Sequence, residues 1–152
     1  MPMYLEAAVD KFIFRVANDR LYSAHGIWIS EQNTAAEVRL RVGLTDYVQQ
    51  LNGDIAFVHV RPAGTEVSVG EELADIETIK ATMSIVLPFT GRIVEVNREL
   101  ALNPEAVNQD PYGKGWIALL TPTHWDQDSA KLLDPEAYLS SMRSQAEAEL
   151  KK

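Results

Sequence analysis

A single cation, Lys80, stands in the stretch IETIKATM (residues 76 to 83) among β-branched and small residues, and VLPFTG (86 to 91) follows it with a Pro and a Gly. A lysine amine presented on a turn is a nucleophile for acyl transfer once its proton has been removed. An exposed alkylamine is almost wholly protonated near neutral pH, so acylation there requires a partner enzyme that takes the proton. The competing reading is a solvated surface charge, the usual fate of a lysine. Glu77, three positions upstream, would contact such an enzyme or merely solvate the turn.

Other residues that could do chemistry are weaker candidates. His25, His59 and His124 are the only histidines, and no pair of them has metal-ligand spacing, so no metal site is expected. Ser, His and Asp are present without a nucleophile elbow, and nothing points to intrinsic catalysis. DPYGKGW (110 to 116) is not a GxGxxG phosphate loop and is expected to be a loop anchored by Tyr112 and Trp116. Gly43, Gly53, Gly70 and Gly91 are assigned to turns.

The elements that must position Lys80 are short strands. GIWI, EVRLRVG, DIAFVHV, TEVSVG, LADIE, MSIVLP and GRIVEVN are rich in β-branched residues and separated by turn signals, the pattern of a compact barrel or sandwich. DIAFVHVRPAGTEVSVGEELADIE and MSIVLPFTGRIVEVNRELAL resemble one another, each with a β run, a Pro, a Gly-bearing turn and a second β run. As halves of a quasi-symmetric sandwich they make Glu77 to Met83 the joining hairpin, with Lys80 near its tip. Leu5, Ala8, Val9, Phe12, Ile13 and Val16 follow helical spacing and predict an N-terminal helical extension over 1–20. The sandwich is assigned to 21–133, with a short helix in TDYVQQLNG and another turn opened by Asn103 and Pro104. A C-terminal helix over 134–152 starts at Asp134 and Pro135 and buries Tyr138, Leu139 and Met142.

Composition narrows the partners. The 152 residues are 46% hydrophobic and 24% charged, ordinary for a globular chain, and 14 Lys and Arg against 22 Asp and Glu give a net charge of −8. Such a field repels phosphate backbones and anionic lipid, so neither nucleic acid nor a membrane is an expected partner. With no cysteine there is no disulfide, thiolate metal site or cysteine nucleophile, and sulfur redox chemistry would require an attached cofactor. The start, MPMYLEAAVDK, has neither the apolar run of a signal peptide nor the composition of a transit peptide, which points to the cytoplasm of a prokaryote.

DIETIKATMSIVLPFTGRIVEVN, VGLTDYVQQLNGDIAFVHV and NQDPYGKGW, taken together and in this order, resemble the H-protein of the glycine cleavage system and its relatives. The resemblance covers roughly residues 20 to 140 and implies a mainly β fold, a lipoyl-domain-type barrel-sandwich hybrid with flanking helices. It implies lipoate in amide linkage on Lys80, attached by a lipoate-protein ligase or lipoyl transferase. Biotinyl domains share the architecture, but their lysine lies between two methionines and Lys80 lies between Ile79 and Ala81. The arm would be a non-catalytic carrier, and the dithiolane would supply the redox sulfur that the chain lacks.

Two departures from the glycine-cleavage pattern bear on the cargo. Relatives usually carry His-Glu-Trp near the first strand; aligned on Trp28, those places hold Gly26 and Ile27. They also carry an Asp four residues after the lysine, where Ser84 stands here. Both carboxylates belong to the pocket that receives the loaded arm, so Ile27 and Ser84 are assigned to an arm-docking pocket, with Glu77 nearby. An aminomethyl cargo is cationic and wants a carboxylate. The sequence therefore leans to a lipoate-binding protein serving a heterodisulfide-reductase-like sulfur-oxidising complex. The alternatives are a glycine-cleavage carrier serving glycine decarboxylase, aminomethyltransferase and dihydrolipoyl dehydrogenase, and a non-carrier interaction protein. Glu6, Glu31 or Asp75, folded near the pocket, would restore the charge and remove the ground for that lean.

Overall fold

The computed structural model describes residues 3–151, and its first element replaces the expected helix. Tyr4–Val9 (β1) and Phe12–Ala17 (β2) pair antiparallel, closing with Val9 opposite Phe12. The turn is Asp10-Lys11, and Asp10 has φ of 56°, a conformation that short polar residues adopt at little cost. Apolar residues here satisfy both periods: alternation buries Ala7 and Val9 on one strand and Phe14 and Val16 on the other. Aromatic and β-branched content then favours strands.

The remaining strands follow the sequence pattern closely. Leu21–Tyr22 (β3), Ile27–Glu31 (β4) and Leu40–Leu44 (β5) lead to the helix Asp46–Asn52 (α1), whose N-cap Thr45 accepts from the Val48 N–H and whose C-cap is Gly53. Ile55–Val60 (β6), Glu66–Val67 (β7), Glu72–Thr78 (β8), Thr82–Val86 (β9) and Gly91–Val96 (β10) come next. The short helices Glu99–Leu102 (α2) and Ala106–Gln109 (α3) sit either side of Asn103 and Pro104. Ala118–Pro122 (β11), Trp125–Ser129 (α4) and Pro135–Leu150 (α5) complete the chain. The strand β11 was not singled out in the sequence.

Two sheets enclose the core. One has the order β3-β4-β5-β11-β10-β7 and the other β6-β8-β9. The core includes Trp28, Ile29, Leu40, Leu73, Ile76, Ile85, Leu87, Phe89 and Ile93, each no more than 1% exposed. Helix α5 opens with Asp134 accepting from the Ala137 N–H at 2.8 Å and Pro135 in its first turn. It buries Tyr138, Met142 and Ala146 against the N-terminal hairpin, while Leu139 is only half-buried. Tyr138 stacks on Tyr22 with ring centroids 4.6 Å apart. Met1, Pro2 and Lys152, the ends of the expected terminal segments, lie outside the described residues. Among the described residues no helix is long and apolar enough to cross a membrane.

Candidate functional site

Strands β8 and β9 form a hairpin whose last ladder pair is Glu77 opposite Thr82. The Thr78 N–H donates to the Ala81 carbonyl at 2.8 Å, which closes a four-residue turn with Ile79 and Lys80 at its centre. The Thr78 Oγ1 accepts from the backbone N–H groups of Lys80 (3.3 Å) and Ala81 (3.2 Å), so a side chain braces the turn from within. Lys80 is exposed, its neighbour Ile79 is 87% exposed, and among the described residues Lys80 forms no salt bridge. The amine is therefore free for a bulky acyl group, and the apolar Ile79 beside it is open to a modifying enzyme.

The outer face of the sheet β6-β8-β9 continues from this tip. Register places Phe57, Glu77 and Thr82 in one row and His59, Asp75 and Ser84 in the next. The opposite face carries Ala74, Ile76 and Ile85 into the core. The Ser84 hydroxyl donates to Glu72 Oε1 at 3.0 Å, across a register shift between Glu72 and Ala74. His59 Nε2 lies 3.5 Å from Glu77 Oε1, and the His59 ring stacks on Phe57 at 6.1 Å. Glu77 and Ser84, named from the sequence, thus share one exposed face with each other and with the lysine hairpin.

Ile27 does not join them. It belongs to β4 in the other sheet and is 3% exposed, so it offers no surface to an arm. The apolar run GIWI is a buried central strand, and period alone does not separate that from a pocket wall. Gly26 is equally committed to packing: its φ is 87°, and a Cβ there would lie 2.2 Å from Val48 Cγ2. Of the acids considered as charge restorers, Asp75 stands opposite Ser84. Glu6 pairs with Arg15, and Glu31 accepts from Trp125 Nε1 and Asn33, both away from this face. Sequence reasoning missed Glu72 and set His59 aside for want of ligand spacing; the placement of both on this face follows only from strand register.

DPYGKGW proves structural in its contacts. Tyr112 Oη donates to the Arg15 carbonyl at 2.6 Å, and Trp28 Nε1 donates to the Pro111 carbonyl at 2.9 Å. The Arg20 guanidinium lies over both Trp28 and Tyr112, at 4.7 and 5.3 Å from the ring centroids, and Arg41 lies 4.5 Å from Trp116.

A mainly β sandwich that lifts one unpaired lysine on a braced hairpin defines a carrier-type domain, and comparison with known proteins gives its family. The model of the glycine cleavage H-protein family matches residues 20–145, and the chain belongs to that family. Its N-terminal hairpin lies outside the matched span. The chain is 37% identical over 138 residues to a probable glycine cleavage system H protein 1 of Saccharolobus solfataricus, covering 91% of this chain and 97% of that one. It is 40% identical over 132 residues to the glycine cleavage system H protein of Thermus thermophilus, covering 86% and 98%. The crystal structure of a glycine cleavage system H protein from Mycobacterium marinum superposes with a TM-score of 0.71 at 32% identity, covering 81% of this chain and 95% of that one. The fold is the lipoyl-domain-type barrel-sandwich hybrid with flanking helices, and the family is one of non-catalytic lipoyl carriers. These relatives favour the glycine-cleavage alternative over the expected lean to sulfur oxidation, which they leave without support.

Proposed function

We propose that this chain is a lipoyl carrier of glycine cleavage, with lipoate in amide linkage on Lys80 and an aminomethyl group as its cargo. The observation that carries this reading is the pairing of Ser84 with Asp75 and Glu72 on the face that continues from the lysine hairpin. The ground for preferring an uncharged cargo was the absence of carboxylates at two positions. Ile27 is in the core and bears on no cargo, and Ser84 has a carboxylate opposite it and another within hydrogen-bond distance. A cationic amine brought to this face meets acceptors that form charge-assisted bonds.

The distances fit. From Lys80 to Ser84 the strand covers about 13 Å at about 3.3 Å per residue. A lysine stem extended by a lipoyl chain, roughly ten bonds, reaches more than about 10 Å from the backbone and folds back over that span. Once attached, lipoate supplies a dithiolane that opens to two thiols, the sulfur chemistry a cysteine-free chain does not contain. Thr78 holds the turn, Lys80 Nζ forms the amide, and Asp75 and Glu72 offer negative charge to the cargo. The enzymes served would be a lipoate-protein ligase or lipoyl transferase, glycine decarboxylase, aminomethyltransferase and dihydrolipoyl dehydrogenase.

Intact mass spectrometry of the chain made in a lipoate-supplied host is the first test. Wild type should gain one lipoyl group and Lys80→Arg none; an unmodified wild type in a ligase-competent host of origin sinks the carrier reading. Glycine-dependent loading of the lipoylated chain by glycine decarboxylase is the second. Failure to load, beside loading by a sulfur-oxidising enzyme of the same organism, would return the sulfur reading.

A further inference from the structure

We propose that His59, Asp75 and Glu77 form a divalent-cation site of the zinc class on the outer face of the sheet that carries Lys80. One imidazole nitrogen and one carboxylate oxygen from each acid lie within 4.8 Å of one another. Two ligands held tetrahedrally at about 2.1 Å from zinc are about 3.4 Å apart. His59 Nε2 and Glu77 Oε1 stand 3.5 Å apart, already at ligand-to-ligand spacing. Bringing the widest pair to the same separation takes a movement of about 1.4 Å, within a side-chain rotation.

The scaffold holds the donors in place. His59 and Asp75 are direct ladder partners on β6 and β8, and Glu77 is two residues beyond Asp75, hence on the same face. Stacking of Phe57 against His59, with the rings inclined by 15°, limits the swing of the imidazole. β8 is the central strand of its sheet, so the backbone bearing the two carboxylates is hydrogen-bonded on both sides. Electrostatics also ask for a cation. Among the described residues no Lys or Arg forms a salt bridge with Asp75 or Glu77, and the sole ion-pair partner of either is His59. A divalent ion bound there would meet two carboxylates that no Lys or Arg among the described residues opposes.

Donor chemistry sets the class of metal. Imidazole with two carboxylates suits zinc, cobalt or nickel, whereas magnesium and calcium prefer oxygen alone. Three protein ligands on an open sheet face leave a coordination position toward solvent, the arrangement of an accessible site and not of a closed structural one. Asp75 is also an acceptor proposed for the aminomethyl cargo, so an ion held here competes with that cargo for one carboxylate. The metal site itself requires no lipoylation and stands apart from the carrier reading.

The test uses the full, unlipoylated chain, freed of metal by chelation. Zinc binding is followed by titration calorimetry, and cobalt binding by its visible absorption, for wild type, His59→Gln, Asp75→Asn and Glu77→Gln, with His25→Gln and His124→Gln as controls. One equivalent should bind wild type and both controls, with Kd tighter than about 100 µM. Binding should be lost in His59→Gln and weakened tenfold or more in each carboxylate variant, with circular dichroism unchanged. No binding by wild type below that limit, or binding undiminished in His59→Gln, overturns the proposal. Because three variants lie on separate strand positions, misfolding of one leaves the other two to decide.

Discussion

Ser84 and Asp75 face each other across β9 and β8, and the Ser84 hydroxyl donates to Glu72 at 3.0 Å. One neutral side chain therefore stands between two carboxylates on the exposed face below the lysine hairpin. Replacing both acids, as Glu72→Gln with Asp75→Asn, should leave lipoylation intact and speed release of the aminomethyl group about twofold to fivefold, the scale of a half-exposed ion pair. Ser84→Asp alone should change release little. A tenfold slowing by Ser84→Asp would show that the wild-type face lacks an acceptor for the cargo.

Thr78 braces the turn with one oxygen that meets two backbone N–H groups and donates to the Ala81 carbonyl at 3.2 Å. Thr78→Val removes these bonds while keeping shape. Because the turn is exposed, global stability should fall by no more than about 1 kcal/mol. Lipoylation by a ligase should slow severalfold, since Lys80 is no longer held outward, and Thr78→Ser should restore it. Equal rates for Thr78→Val and wild type would mean that the enzyme selects the lysine without a fixed turn.

Gly43, expected at a turn, lies instead within β5 opposite Trp28 on β4, and a Cβ there would come within 2.5 Å of the indole. The ring cannot retreat easily, being tied to the Pro111 carbonyl and covered by Arg20. Gly43→Ala should therefore destabilise by about 1 to 3 kcal/mol through overpacking, measured as a lower denaturant midpoint. An unchanged midpoint would show that the ring relaxes without cost.

Burial raises the phenol pKa values of Tyr22, Tyr112 and Tyr138 above the usual tyrosine range. Their folded values exceed their unfolded ones, so the stability they contribute is fully present below about pH 10. It declines as the unfolded phenols ionise and is lost as pH rises through the folded values. Each loses about 1.4 kcal/mol between about pH 9 and about pH 11, about 4 kcal/mol for the three together over that window. Denaturant midpoints measured between about pH 9 and about pH 11 should fall steeply, and Tyr138→Phe should flatten the fall by about a third, although it also forfeits the 2.8 Å bond to Thr45 Oγ1. A slope unchanged in Tyr138→Phe would mean that this phenol titrates normally.

The lysine hairpin was legible in the sequence because β9 and the part of β8 from Ala74 onward alternate and the turn between them contains no strand-former apart from Ile79. The start of the C-terminal helix at Asp134 and Pro135 was legible for the same local reason, whereas the N-cap Thr45 was not singled out. The N-terminal hairpin was not, since Ala7, Val9, Phe14 and Val16 give alternation while Leu5, Ala8, Phe12 and Val16 give a helical stripe. Docking of α5, a contact from the far end of the chain, buries the alternating set. Ile27 was misplaced because a buried run looks the same whether it lines a pocket or fills a core. The cluster of His59, Asp75 and Glu77 could not be read at all. It depends on the register of β6 against β8, and that register contains a shift between Ile55 and Phe57.

Strand β8 has neighbours on both sides, and from Ala74 to Glu77 its residues alternate between core and outer face. Its length is therefore fixed more firmly than its composition. One residue inserted between Asp75 and Glu77 would turn a carboxylate inward and an aliphatic outward, and would break the pairing with β6 and with β9 together. Folding alone lets side chains on the outer face be exchanged, but drives insertions and deletions to the hairpin turn and to the loops at the opposite end of the sheet, around 61–65 and 68–71. A library of random insertions selected for folding alone should leave 73–77 and 82–86 empty while admitting insertions at the exposed turn between them, and the strands that receive the cargo would look protected before any selection for function was applied.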